Sequence, residues 1–162
     1  MASAIERHVL RILNAVEITP DTARSIEEVG TPAVTAVCDV ATGCFPGLRV
    51  KMRSNATALL GRMLHRQAKQ AVRMLITDPI PDVAICALRA AARLRMAAAV
   101  SDIGAALSNR DLPPLVAVEA VKALREINNS ESRRQLHRYE EADASELPHR
   151  GAAVVANVLR VV

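Results

Sequence analysis

Three cysteines and four histidines are the residues of this 162-residue chain best suited to nucleophilic or metal chemistry. Cys38, Cys44 and Cys86 lack the close paired spacing of a zinc site. An odd number of thiols without metal spacing fits a reduced, cytoplasmic chain better than a disulfide framework. A Cys–His nucleophile needs a thiol beside an imidazole, and nothing in the order of residues brings one there. No two of His8, His65, His137 and His149 stand four apart. His137 and Glu141 do, which makes a surface pair rather than a ligand set. Glycine-rich phosphate loops, nucleophile elbows and His-Glu-x-x-His are absent. The sequence therefore predicts no catalytic residue, no metal site and no cofactor.

The cations are more informative. Arg66, Lys69, Gln70 and Arg73 recur at helical spacing opposite apolar Val72 and Leu75. Arg133, Arg134, His137 and Arg138 do the same opposite Leu136 and Tyr139. Between these stretches lies a small, nearly neutral one with Ala98, Asp102 and Ala105 on one stripe. Two basic ridges flanking an alanine-lined groove would suit the carboxylates of an acidic helix or peptide. Phosphates of a nucleic-acid backbone are the weaker alternative. Aromatic residues make up 1% of the chain, Phe45 and Tyr139 alone, so bases would find almost nothing to stack on.

Helices must position these side chains, and the chain repeats them. Val83, Ala87, Ala90, Ala91 and Leu94 paint one helical face, with Arg89 and Arg93 on the other. Val100, Ile103 and Leu107 form a second stripe, stopped by the polar stretch 108–111 and by Pro113-Pro114. Asp82 and Ser130 are expected as helix-start acceptors. The segment 87–94 aligns with 120–127, with 56–63 and, further on, with 152–159, so the offset between successive copies is nearly constant. Pro46, Pro81, Pro114 and Pro148 keep nearly the same interval. Such a period marks a stack of similar units.

These units resemble HEAT repeats, in particular the short HEAT-like repeats of phycobilisome lyases. The residues that carry the resemblance are Val50, Ala56, Leu60 and Met63; Val83, Ala87, Ala91 and Leu94; and Val116, Ala120, Leu124 and Ile127. It implies an all-α fold, an α-solenoid of antiparallel helical hairpins. Residues 1–162 form one domain: a cap at 1–19, repeats at 20–46, 47–80, 81–113 and 114–147, and a terminal half-repeat at 148–162. The resemblance also implies that second helices line a concave face, which would carry both basic ridges. Family members often place Arg after the first Val, where this chain has Lys51, Ala84 and Ala117, so no polar ladder is expected from that position. The family contains scaffolds, adaptors and a few enzymes. An interaction adaptor is therefore the first expectation, and a bilin-handling or DNA-base-acting enzyme an alternative.

A basic middle between acidic ends would favour an anionic partner, or would simply supply the charged outer faces that helical hairpins need. Residues 1–47 carry net −3, residues 48–139 net +9 and residues 140–162 net −2. No signal-peptide core and no membrane-length apolar run is present. Asn55-Ala56-Thr57 matches a glycosylation acceptor by chance, inside an expected helix. At the far end, Val154, Val155, Val158, Leu159 and Val162 spread around more than one face. They are expected to be covered by a second copy, as a two-fold homodimer; the alternatives are a frayed terminus or a chain end folded back over its own apolar face.

Overall fold

A computed structural model describes residues 3–14, 18–45, 47–109 and 111–145, with side chains as far as 142. Among the described residues there are nine α-helices and no strand: α1 Ala4–Leu13, α2 Pro20–Val29, α3 Thr31–Thr42, α4 Val50–Leu60, α5 Arg66–Leu75, α6 Pro81–Arg93, α7 Val100–Leu107, α8 Pro114–Ile127 and α9 Ser130–Ser145. A short 3-10 turn, Ala97–Ala99, leads into α7. The all-α expectation holds.

Local chemistry sets the ends. Ser3 and Glu6 form a capping box at α1, and Thr19 and Thr22 form one at α2. Prolines open α2, α3, α6 and α8 in the first turn, where a missing N–H costs nothing. Gly30 (φ 96°) and Gly43 (φ 81°) end α2 and α3 in conformations that a Cβ would oppose. Two expected caps shift. At α6 the N-cap is Ile80, which has no capping side chain, and its N–H is taken by Asp78 Oδ1 (2.9 Å) rather than by Asp82. At α9 the box forms one residue earlier than Ser130: Asn129 Oδ1 accepts from the Ser132 N–H, and Ser132 Oγ accepts from the Asn129 N–H.

The core is built from alanine, valine and leucine. Helix α4 packs on α6 and α6 on α8, while α3 lies against α4 and α5, α5 against α6, and α7 against α8 and α9. Leu59, Leu60, Leu88, Ile103 and Leu124 are fully enclosed, and so is Ala120, one of the residues that carry the family resemblance. Burying a leucine-sized side chain contributes ~1.5–3 kcal/mol. Gly61 allows the closest approach: a Cβ there would stand 2.5 Å from the Cβ of Ala90, so α4 and α6 meet where neither has a large side chain. Val29 is 46% exposed, although it follows buried Ile26 by three residues in α2. It is the last residue of α2, and the chain turns away at Gly30 before α3 can cover it.

Polar bonds cross between elements at intervals close to the sequence period. Thr35 Oγ1 donates to Gln67 Oε1 (3.1 Å), joining α3 to α5. Arg73 pairs with Asp102 and Arg89 with Glu119. Deepest is Arg53, which donates to the Ala41 carbonyl (3.0 Å) and to the carboxylate of Asp78. Those two side chains are only 13% and 8% exposed, so a residue of α4 ties the end of α3 to the loop after α5. Asn55, the chance glycosylation match, donates to the Leu13 carbonyl (2.9 Å).

Candidate binding groove

Helix α5 forms because its sequence, RQAKQAVRML, is rich in helix-favouring residues. His65 caps it, its Nδ1 accepting the Gln67 N–H at 3.3 Å. One face, Ala68, Ala71, Val72 and Leu75, is buried. The opposite face presents Arg66, Gln70 and Arg73 exposed, with Lys69 half-buried beside them. The helix contains no acid, so its charges are not compensated from within.

The next element comes close to this face. After α6 the chain reverses at Leu94-Arg95-Met96. The Arg95 N–H bonds to the Ala92 carbonyl (2.8 Å) and the Met96 N–H to the Ala91 carbonyl (3.0 Å). That geometry puts Arg95 in the left-handed region at φ 46°. Asn128, one sequence period on, occupies the corresponding place after α8 with φ 49°.

Together α5 and this turn enclose an open groove of about 540 Å³. Arg66, Lys69, Arg73 and Arg95 supply its charge, Gln70 a neutral polar group, and Leu94, Met96, Ala97 and Ala98 its apolar surface. Five residues singled out in the sequence, Arg66, Lys69, Gln70, Arg73 and Ala98, are thus brought to one place. Asp102 on α7 is adjacent. Arg73 Nε lies 2.7 Å from Asp102 Oδ2, and Nη2 lies 3.4 Å from Oδ1. This hydrogen bond, reinforced by the carboxylate charge, pushes the Arg73 guanidinium above its ordinary range. Arg66, Lys69 and Arg95 make no ion pair with a described residue. Ala105 is exposed on α7 and does not line the groove.

The second set of cations is differently placed. Arg133, Arg134, His137 and Arg138 are all exposed on α9, with Leu136 and Tyr139 half-buried behind them. Arg134 pairs with Glu131, and His137 Nε2 lies 3.2 Å from Glu141 Oε1. The structure does not bring these residues to the α5 groove. Val154, Val155, Val158, Leu159 and Val162, with Pro46, Pro148 and His149, lie outside the described residues, so the expected homodimer contact does too.

Other concavities differ in character. Between α6 and α8 a groove of about 360 Å³ mixes Arg89, Arg93 and Lys122 with Glu119 and Glu126. Arg89 donates to Glu119 (2.9 Å) and Lys122 to the same carboxylate (3.1 Å). The Arg89 bond is the main reason the Glu119 carboxyl titrates below its ordinary range. Between α1 and α3 a groove of about 330 Å³ is lined by Glu6 and Asp39 among small polar residues, Ser3, Thr31 and Thr35, and apolar ones, Ile5, Pro32 and Ala36.

Two of the three thiols, Cys38 and Cys86, are poor nucleophiles. Burial pushes the Cys38 thiol up to about 11, helped by the Asp39 charge, and burial also raises Cys86. Both are therefore protonated at neutral pH. Among the described residues no three of His, Cys, Asp and Glu gather as metal ligands, and no helix is long and apolar enough to cross a membrane.

Sequence reasoning missed Arg95 and the Arg53–Asp78 pair. The signal for Arg95 was its register with Asn128, a residue type suited to left-handed turns. Arg53 and Asp78 are far apart in the chain, and no local pattern announces their contact.

No family model matches this chain, and no curated protein matches it.

Proposed function

We propose that this chain is a HEAT-like α-solenoid acting as an interaction adaptor, and that its α5 groove docks an acidic segment of another protein. The observation that carries this reading is one groove in which three cations without an ion pair to a described residue, and a fourth, Arg73, surround an apolar surface. Carboxylates meeting guanidinium groups form charge-assisted hydrogen bonds, while the apolar surface gives a hydrophobic residue somewhere to go. Asp102 supports the same idea, because Arg73 already holds a carboxylate there in the free protein. The repeat register of Arg95 and Asn128 supports the solenoid. Three free cysteines fit a reducing compartment such as the cytoplasm.

Nucleic acid would be held through phosphates alone, so the two partners separate by salt response. A fluorescently labelled, Glu-rich peptide of about 20 residues with interspersed leucines should bind with a Kd in the micromolar range. A random duplex DNA should bind only at low salt, with steep salt dependence. Tight duplex binding with no peptide binding at physiological salt would overturn the adaptor reading.

A further inference from the structure

Arg95 stands at a backbone position that suits glycine or asparagine better than arginine. Its backbone is left-handed at φ 46°, a region in which a Cβ crowds the carbonyl and which glycine and asparagine tolerate best. One repeat later the same place holds Asn128. Its side chain is exposed and makes no ion pair with a described residue, so no such contact offsets the cost of that conformation. What the side chain does is line the α5 groove, as the one cation among the described lining residues that comes from the α6 turn rather than from α5. Backbone strain that no ion pair to a described residue offsets points toward function.

Resting on the acidic-segment reading, we propose that Arg95 is a specificity-determining residue that makes the groove select an amphipathic acidic helix. Two features define such a partner. Cations of α5 at Arg66, Lys69 and Arg73 are spaced about 4.5 and 6 Å along the helix axis. A partner helix with carboxylates at i, i+3 and i+7 matches those steps, whereas an extended chain repeats same-face side chains about every 6.8 Å and falls out of register. The second feature is the apolar surface of Leu94, Ala97 and Ala98 lying in the same groove as cations from two different elements. It matches a helix whose apolar stripe is flanked by acids on both sides, the α5 cations meeting one flank and Arg95 the other. Small Ala97 and Ala98 leave room for a leucine-sized side chain.

The test uses the whole chain and two labelled peptides of identical composition, each long enough, at about 20 residues, for a helix to form in isolation. One is alanine-rich and helical, with Glu on both flanks of a leucine stripe. In the other the same residues are reordered and its prolines moved from the ends to the centre, which prevents a helix. Wild-type protein should prefer the helical peptide about tenfold. Arg95→Gly should weaken that binding about tenfold while raising the Tm by about 2–4 °C, because glycine relieves the left-handed strain. Arg95→Lys should keep most of the affinity and gain no stability. A lower Tm for Arg95→Gly, or unchanged binding by it, overturns the role given to Arg95. Equal binding of the two peptides overturns helix selection and leaves the acidic-segment reading standing. Binding of neither peptide overturns both.

Discussion

Helices α5 and α9 carry the same number of Lys and Arg residues and differ in what surrounds them. Over Arg66–Leu75 three cations face no acid, and the net charge is +3. Over Ser130–Ser145 three Arg face four acids, Glu131, Glu140, Glu141 and Asp143, for a net of −1. On α9, Glu131 answers Arg134 and Glu141 lies beside His137, each within a turn or so along the same helix. On α5 the carboxylate partner comes from another helix, at Asp102, and engages Arg73 only. A row of cations at helical spacing is therefore not yet a basic surface. Acids three and four residues away decide whether the charge faces outward or is spent locally. Neighbouring elements matter equally, since the α6 turn adds Arg95 and an apolar surface to the α5 groove.

Substitutions at and around the two helices test this contrast. The largest effect is expected at the foot of α5. Asp78→Ala leaves Arg53 enclosed without its carboxylate, and removing one partner of such a pair costs about 3–5 kcal/mol. Urea unfolding should show that loss, and Arg53→Met with Asp78→Leu, which removes both charges, should recover much of it. An intermediate effect tests α9. Glu131→Gln with Glu141→Gln removes two of its four acids and turns its net charge from −1 to +1. Exposed pairs are worth little, so α9 should gain acidic-peptide binding of its own by a factor of about 2–5, read as a second weak site. No gain would mean that α9 lacks more than free charge.

The smallest effect concerns Glu119, the carboxylate that joins α6 to α8 and serves as a control for both helices. Its folded-state carboxyl titrates below the ordinary value of 4.5 because Arg89 and Lys122 hold the ionised form. The stabilisation is thus complete above that value and disappears as the pH falls through the lower, folded-state one. Stability measured from pH 6 downward should decline more steeply for wild type than for Glu119→Gln. Parallel curves would show that the pair contributes nothing.

Much of the fold was legible because helical stripes are local. The interval between the aligned segments matches the spacing of α4, α6 and α8, and Ala87, Ala120 and Leu124 are buried as their register requires. Val29 escapes burial because burial at a helix end depends on where the next helix goes, which Gly30 decides. The α5 cations could be read from spacing, since a solvated face needs only its own helix. Their enclosure in a groove could not, because Arg95 reaches it by a left-handed turn a whole helix beyond Arg73. The ridge on α9 was read from its cations and from the His137–Glu141 pair, with Glu131 left uncounted against Arg134. Arg53 and Asp78 meet only through the packing of α3, α4 and the loop after α5, which no single stretch contains.

The central claim is that the α5 groove, and not overall basicity, captures acidic segments. Two double reversals with the same change in net charge test it directly: Arg66→Glu with Lys69→Glu, and Arg133→Glu with Arg138→Glu. All four side chains lie on helix faces turned away from the core, so circular dichroism and Tm should stay near wild type. Binding of the labelled Glu-rich peptide at physiological salt is then compared by fluorescence anisotropy. The α5 reversal should weaken it at least about thirtyfold, and the α9 reversal no more than about threefold. Equal losses from the two would show that net charge drives the association and would contradict the groove.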